Sequence, residues 1–138
     1  MKLLTKDIRE RLLKNGRLRE ALAEEGKAEA DFYPVVKLFT PDAGCTWLLT
    51  ELDPEEPDIA FGLCDLGIGF PELGAVCISE LESVRGRLGL PIERDLYFEP
   101  HHTIAAYAEA ARLASHITES KAALDAARET LYEEGGAL

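Results

Sequence analysis

The sequence contains few cysteines and no long apolar run. Its three cysteines, Cys45, Cys64 and Cys77, are odd in number and lack CxxC spacing, which argues against a disulfide framework or a zinc knuckle. The first segment, MKLLTKDIRERLL, lacks the uninterrupted apolar core of a signal peptide, and no later stretch is long enough to cross a bilayer. We therefore expect a cytoplasmic protein with reduced thiols and no membrane contact.

Basic residues are absent from the centre of the chain, between Lys37 and Arg85. The formal net charge is −11, and the same central segment holds many of the carboxylates: Asp42, Glu51, Asp53, Glu55, Glu56, Asp58, Asp65, Glu72, Glu80 and Glu82. Because such a segment repels phosphate backbones, it argues against direct binding of DNA or RNA.

Length and composition predict one globular domain spanning residues 1–138. The chain is 46% hydrophobic and 30% charged, a balance typical of folded rather than disordered proteins. The apolar pattern divides this domain into a helical part at 1–30, a sheet with a short helix at 33–100, and a second helical part at 103–134.

Helical periodicity marks the N-terminal part. Thr5 is a candidate N-cap, and Ile8 and Leu12 lie on one side of a helix predicted to end at Gly16. A second helical piece is predicted between Gly16 and Gly26. A single helix interrupted at Gly16 is the alternative.

Short apolar runs rich in β-branched and aromatic residues follow, in the segments VVKLFT, CTWLLTELD, IAFGLCD and GAVCIS. Pro41 to Gly44 predicts a turn between the first two, and hence an antiparallel hairpin. The stretch from Leu66 to Glu72 places apolar residues between glycines, so it either folds back onto the core or offers an apolar contact.

The C-terminal third is predicted to be mostly helical. Ser79 and Glu82 have the spacing of a reciprocal cap that opens a short helix. A stripe of apolar residues then runs from Thr103 to about Glu134 and weakens near Thr118, where the helix bends or restarts. The predicted fold class is therefore α+β: a small antiparallel β-meander packed with N-terminal helices and a long C-terminal helix or helix pair.

The segments TPDAGCTWLLTELD, DIAFGLCDLGIGFPELG and SELESVRGRLGLPIERDLYF resemble a bacterial family, the domain of unknown function two-nine-five-eight. The resemblance covers roughly Met1 to Phe98 and includes many positions outside the apolar pattern: Asp42, Trp47, Glu51, Gly62, Asp65, Gly69, Glu72, Leu73, Arg85, Gly86, Pro91 and Arg94. It implies an origin that is often a plasmid or another mobile element, and so a role in conjugation, plasmid maintenance or counter-defence.

Carboxylates at predicted strand ends and turns are the first candidates for chemistry: Asp42, Glu51, Asp53, Asp58, Asp65, Glu72 and Glu80. They would bind a divalent cation if they converged, but no ligand spacing supports this, and solvated turn acids are the simpler interpretation. The histidines, at positions 101, 102 and 116, also lack a metal-binding spacing, and we expect surface or capping roles.

Nucleophile and nucleotide motifs are missing. No serine lies in a G-x-S-x-G context, and the string from Gly67 to Gly69 is too short for a dinucleotide fingerprint. The sequence therefore assigns no catalytic residue, no metal ligand and no cofactor.

Three unusual residues stand out in the acidic region. Arg85 and Arg94 are rare cations there, and each guanidinium would pin carboxylates in place or clamp a phosphate. Trp47 is the sole tryptophan. Its strand position predicts a core residue, while partial exposure would mark a contact surface.

Three functions are compatible with these features. The first is a non-catalytic acidic protein-binding module whose partner has a basic or nucleic-acid-binding surface, with phosphate mimicry as its mode. The second is a metal-dependent hydrolase or nuclease that uses the strand-end carboxylates, and the third is a homodimer formed through the C-terminal helix. For the first, the predicted binding residues are Asp42, Trp47, Glu51, Asp65, Phe70, Glu72, Arg85 and Arg94.

Overall fold

The computed structural model describes residues 2–134, so Met1 and residues 135–138 of the predicted domain lie outside the description. Its elements, in chain order, are α1 (Lys6–Glu24), β1 (Val36–Phe39), β2 (Thr46–Leu52), β3 (Ile59–Asp65), β4 (Glu72–Cys77), α2 (Ile78–Ser83), β5 (Glu93–Arg94), α3 (Ile104–Ala114) and α4 (Lys121–Glu134). This arrangement confirms the predicted α+β class, with an N-terminal helix, an antiparallel sheet and a C-terminal helix pair.

The five strands form one sheet in the order β4-β3-β2-β1-β5, and neighbouring strands are antiparallel. Strands β1 to β4 follow one another as the predicted meander. The short strand β5 pairs with Leu38 and Phe39 of β1, in a stretch whose sequence indicated only extended or irregular structure. The sheet therefore has β4 at one edge and β5 at the other.

Helices cover both faces of the sheet. Neighbouring side chains on a strand point to opposite faces, and accordingly Leu49 joins a core cluster with Leu12 of α1, whereas Leu48 joins a second cluster with Tyr107 of α3 and Leu124 of α4. We call these the first and second faces. None of the helices in residues 2–134 combines the length and apolar composition that crossing a membrane requires.

Helix α1 is continuous, so the prediction that it ends at Gly16 was wrong. Gly16 is buried where the helix crosses the end of β2, and a Cβ at this position would overlap the carbonyl oxygen of Leu52. Beside it, the Asn15 side chain donates a hydrogen bond to the Thr50 carbonyl at 2.8 Å. The glycine thus permits close helix–strand packing and does not stop the helix.

Helix α2 begins at Ile78, and the cap predicted from Ser79 and Glu82 does not form. Asp58, in the loop before β3, supplies it instead: its side chain accepts a hydrogen bond from the Ser79 N–H at 3.0 Å, and its carbonyl accepts one from the Ile78 N–H at 2.8 Å. Hydrogen bonds from Cys77 and Ser79 lower the pKa of Asp58.

The C-terminal part is a helix pair. Helix α3 ends at Ala114, Ser115 takes a left-handed conformation with φ of 66°, and α4 begins at Lys121. The chain therefore leaves the helix a few residues before Thr118, where the apolar stripe weakens. Both helices pack on the second face of the sheet.

Candidate functional site

Asp65 is one of the predicted binding residues, and it is buried with only 4% of its surface exposed. One carboxylate oxygen accepts a hydrogen bond from the Gly67 N–H and the other from the Ile117 N–H, each at 2.9 Å. The side chain therefore ties the end of β3 to the segment between α3 and α4. It is not available to a partner.

Asp42 has a similar internal role in the β1–β2 turn, residues 40–45. Its Oδ2 accepts hydrogen bonds from the N–H groups of Leu88 and Leu90 at 2.7 and 3.2 Å. Its Oδ1 is buried without a hydrogen-bond partner in the described residues and lies against Gly86, where a Cβ would overlap it. Asp42 thus holds the α2–β5 loop, residues 84–92, against the turn.

Glu51 is buried at 5% exposure and forms an ion pair with the guanidinium of Arg19. The same guanidinium lies 5.4 Å from the ring centre of Phe61 and 5.9 Å from that of Phe32. Burial disfavours the charged form of Arg19, but the hydrogen bond and charge of Glu51 and the charge of Glu29 outweigh this, so its pKa is raised. The pair fixes the second half of α1 to β2.

Arg94 and Arg85 bind main-chain carbonyls. Arg94 donates hydrogen bonds to the carbonyl oxygens of Lys2 and Leu3 at 3.2 and 2.6 Å, and Arg85 donates to two carbonyls at the end of α2. Neither side chain forms an ion pair with a carboxylate among residues 2–134. The prediction that these arginines hold carboxylates in place is therefore wrong, because both bind main-chain carbonyl oxygens instead.

Of the remaining predicted residues, Trp47 is buried and Phe70 and Glu72 are exposed. Trp47 belongs to the first core cluster at 4% exposure, which excludes its use as a contact surface. Phe70 is 76% exposed and has two exposed apolar neighbours, Leu66 and Ile68, in the β3–β4 loop. Of the two alternatives for this loop, the apolar contact fits and folding back onto the core does not.

His102 is buried at the start of α3, and its Nε2 lies 2.7 Å from Oδ1 of Asp125 on α4. Hydrogen bonds from Lys121 and from His102 lower the pKa of Asp125. His101 and His116 are exposed. The buried pair joins the two C-terminal helices, so the expected surface or capping role is wrong for His102, while the exposure of His101 and His116 fits it.

Burial limits the reactivity of one of the three thiols, that of Cys64. All three cysteines are free and half-buried. Burial raises the pKa of Cys64 to about 11, so its thiol stays protonated near neutral pH.

The α1 cleft is an open cavity of about 290 Å³ between the second half of α1, the β2–β3 loop (residues 53–58), the edge strand β4 and its neighbour β3. Phe61 and Ala75, which are paired across β3 and β4, line it with apolar surface. Glu20 of α1 and Asp53 of the loop line it with carboxylates.

Arg19 and Glu51 also line this cleft and form an ion pair with each other, whereas Glu20 and Asp53 lie outside that pair. Partial burial and the negative charges of Glu55, Asp53 and Glu24 raise the pKa of Glu20, and Glu20 and Asp53 line the same cleft. None of the four takes part in any ion pair formed within residues 2–134. We call Glu20, Glu24, Asp53 and Glu55 the acidic rim.

The acidic rim does not have the geometry of a metal site. In the part of the chain that the structure describes, no three histidine, cysteine, aspartate or glutamate side chains converge as ligands. The strand-end carboxylates are likewise dispersed, because Asp42 and Asp65 are bound to separate main-chain N–H groups and Glu51 is bound to Arg19.

Half of the acidic rim was missed in the sequence. Glu20 and Glu24 lie in an N-terminal segment whose acidic and basic charges nearly balance, so they do not stand out by local charge. Their spacing of four residues places them on one side of a helix, which was the available signal. Their approach to Asp53 and Glu55 depends on how α1 crosses the sheet.

Comparison with known families identifies the chain. The model of a family described as proteins of unknown function (DUF2958) matches residues 3–118, so the chain belongs to this family and the predicted resemblance is confirmed. Helix α4 lies beyond the matched residues. Comparisons with curated proteins and with solved structures gave no match.

Proposed function

We propose that this protein is a non-catalytic binding module that takes up a basic segment of another protein at the α1 cleft. The observation that carries the proposal is the lining of the cleft: Glu20 and Asp53, neither of them in an ion pair within residues 2–134, lie beside the apolar surface of Ala75 and Phe61. A lysine or arginine side chain matches both features, because its aliphatic stem packs on apolar surface while its charge meets the carboxylates.

Electrostatics favours such a partner. In the free protein the rim carboxylates repel one another, and a bound cation would turn this repulsion into attraction. The net charge of −11 would also speed association with any basic surface and would make that association sensitive to salt. The protein surface that best fits the cleft is therefore a basic one, including the basic groove of a nucleic-acid-binding protein.

The proposed contact residues differ from those predicted from the sequence. Asp42, Glu51 and Asp65 are engaged in internal contacts, so they do not contribute to a phosphate-like surface. The acidic rim replaces them as the proposed contact. The plasmid or mobile-element origin, a counter-defence role and a cytoplasmic location stay predictions from the sequence.

The two alternative functions have less support. A hydrolase would need a site where carboxylates converge, and the described residues do not bring three ligands together. A homodimer through the C-terminal helix would need a free apolar stripe on α4, but Leu124 and Ala127 of that stripe are buried against the second face of the sheet.

A binding experiment with charge-matched variants tests the proposal. The probe is a fluorescein-labelled, lysine-rich peptide, and binding is followed by fluorescence anisotropy at several salt concentrations. We expect Glu20→Gln/Asp53→Asn to weaken binding at least about tenfold, since two rim charges each contribute on the order of 1 kcal/mol.

The matched control is Glu129→Gln/Glu133→Gln, which removes two exposed charges of α4, on the second face of the sheet. It should change affinity by less than about twofold. If both double variants weaken binding equally, only the net charge matters and the α1 cleft is not the site.

A further inference from the structure

Strand β4 is an open edge of the sheet. It pairs with β3 on one side, and its other side has no strand partner within residues 2–134. One of its residues, Ala75, also lines the α1 cleft. The edge and the cleft are therefore parts of one continuous surface.

The hydrogen-bond pattern identifies which main-chain groups point outward. The Ile78 N–H bonds the Asp58 carbonyl at 2.8 Å, which makes 78 and 58 a hydrogen-bonded pair of the antiparallel ladder. Such pairs recur at every second residue, so Gly74 and Val76 direct their N–H and C=O groups toward β3. Residues 73, 75 and 77 direct theirs away from the sheet.

This edge has few of the features that usually protect an edge strand, and Glu72 is the one charged residue among its six. Strand β4 contains no proline and no lysine, and its register with β3 runs from Glu72 to Cys77 without a bulge. Leu73 is 46% exposed on it. The opposite edge strand, β5, is only two residues long. An unprotected edge of this length is a template for pairing with another chain.

We propose that the β4 edge binds an extended, basic segment of a partner protein by strand addition, with basic side chains of that segment directed into the α1 cleft. This proposal rests on the proposed function and specifies the partner's conformation. An added strand lies about 4.8 Å from β4, so a side chain leaning over the small Ala75 reaches the mouth of the α1 cleft, which Glu20 and Asp53 line. The Phe61 ring in this cleft is already covered by the Arg19 guanidinium, 5.4 Å from its centre.

Charge selects this occupant over a second copy of the chain. Two copies paired through β4 would bring two acidic rims and two net charges of −11 together. A basic segment instead places cations beside Glu72 on the edge and beside the acidic rim. The main-chain hydrogen bonds would supply affinity, and the basic side chains would supply specificity.

The test compares two ten-residue peptides of alternating lysine and threonine, one of them N-methylated at its four central residues. Both carry the same charge, but the methylated peptide cannot donate the central hydrogen bonds of a strand. We expect it to bind at least about tenfold more weakly, since each hydrogen bond contributes about 1 kcal/mol.

Hydrogen exchange gives a second measurement. The Leu73 and Ala75 N–H groups should exchange more slowly in the bound protein, with no change at Gly74.

Ala75→Pro removes one outward N–H without affecting a hydrogen bond to β3, and it should weaken binding of the unmethylated peptide about tenfold. Ala75→Thr, which keeps the N–H, is the control, and thermal unfolding checks that both variants fold.

Equal binding of the two peptides, together with weaker binding by Glu20→Gln/Asp53→Asn, would overturn strand addition and keep the proposed function. Binding of neither peptide would overturn both, and a dimer that Ala75→Pro abolishes would assign the edge to a second copy.

Discussion

The carboxylates at one end of the sheet hold other segments in place, whereas the other end combines such carboxylates, Asp58 and Glu51, with an acidic rim that forms no ion pair within residues 2–134. At the end where β1 turns into β2, Asp42 and Asp65 accept hydrogen bonds from main-chain N–H groups of other segments. At the other end, where β2 leads into β3, the acidic rim faces solvent and its members repel one another. An aspartate in a turn therefore either ties distant segments together, as Asp42 and Asp65 do, or stays exposed, as Asp53 does, and its tertiary neighbours decide which.

The largest effect is expected at the structural end, from Asp65→Ala. The change leaves the N–H groups of Gly67 and Ile117 without their acceptor, and hydrogen bonds to a charged group each contribute about 1.5–3 kcal/mol. We expect the free energy of unfolding, measured by urea denaturation, to fall by about 3 kcal/mol.

Asp65→Asn is the matched variant, because its amide oxygen still accepts one hydrogen bond, and its cost should be about half as large. If Asp65→Ala changed the free energy of unfolding by less than about 0.5 kcal/mol, the distinction between the two ends would fail.

A smaller loss is expected for Gly86→Ala. A Cβ at this position would overlap Oδ1 of Asp42, so the carboxylate must move away from the Leu88 and Leu90 N–H groups. We expect a loss of about 1–2 kcal/mol in the same urea experiment.

The mechanism predicts strong coupling between Gly86 and Asp42. In an Asp42→Ala background the added methyl group meets no carboxylate, so Gly86→Ala should cost little there, and the coupling energy should exceed about 1 kcal/mol. Additive effects would mean that the glycine is required for another reason.

A gain in stability is expected at the acidic rim. Glu20→Gln should raise the midpoint of thermal unfolding at neutral pH and low salt. The pKa of Glu20 is raised in the folded state by partial burial and by Glu55, Asp53 and Glu24, so the native protein binds this proton more tightly than the unfolded chain does. The ionised Glu20 side chain therefore destabilises the folded protein at pH values above its folded-state pKa. This destabilisation disappears as the pH falls below that pKa.

The gain from Glu20→Gln should consequently vanish in acid and shrink in 0.5 M salt, where a Debye length of about 4 Å screens the rim. Glu133→Gln on α4 is the control for a general charge effect. A decrease in stability at neutral pH would indicate that Glu20 has an attractive partner and would remove the basis of the proposed function.

Local patterns were sufficient to predict most of the fold. The alternation and turn residues in β1 to β4 reflect which face each side chain occupies, so the antiparallel meander follows from them. The weakening of the apolar stripe left a bent helix and a helix pair as alternatives, and the structure has the pair, α3 and α4. Strand β5 was missed because two paired residues leave no periodic signal.

Contacts between distant segments account for the errors. A glycine such as Gly16 usually indicates the end of a helix. Here its lack of a side chain lets the Leu52 carbonyl pack against α1. The cap of α2 comes from Asp58, a position that no helix-start pattern includes. The candidate site shares this limitation: sequence supplied Asp53 and Glu55 as exposed loop acids, whereas their proximity to Glu20 arises only from packing.

The hydrogen bonds of Arg94 couple the stability of two remote segments. They join β5 to the carbonyls of Lys2 and Leu3, and Leu3 shares the first core cluster with Ile92 beside β5. If β5 detached from β1, the N-terminal residues would lose their anchor at the same moment. The two segments should therefore open as one cooperative unit, at a lower free energy than the central strands.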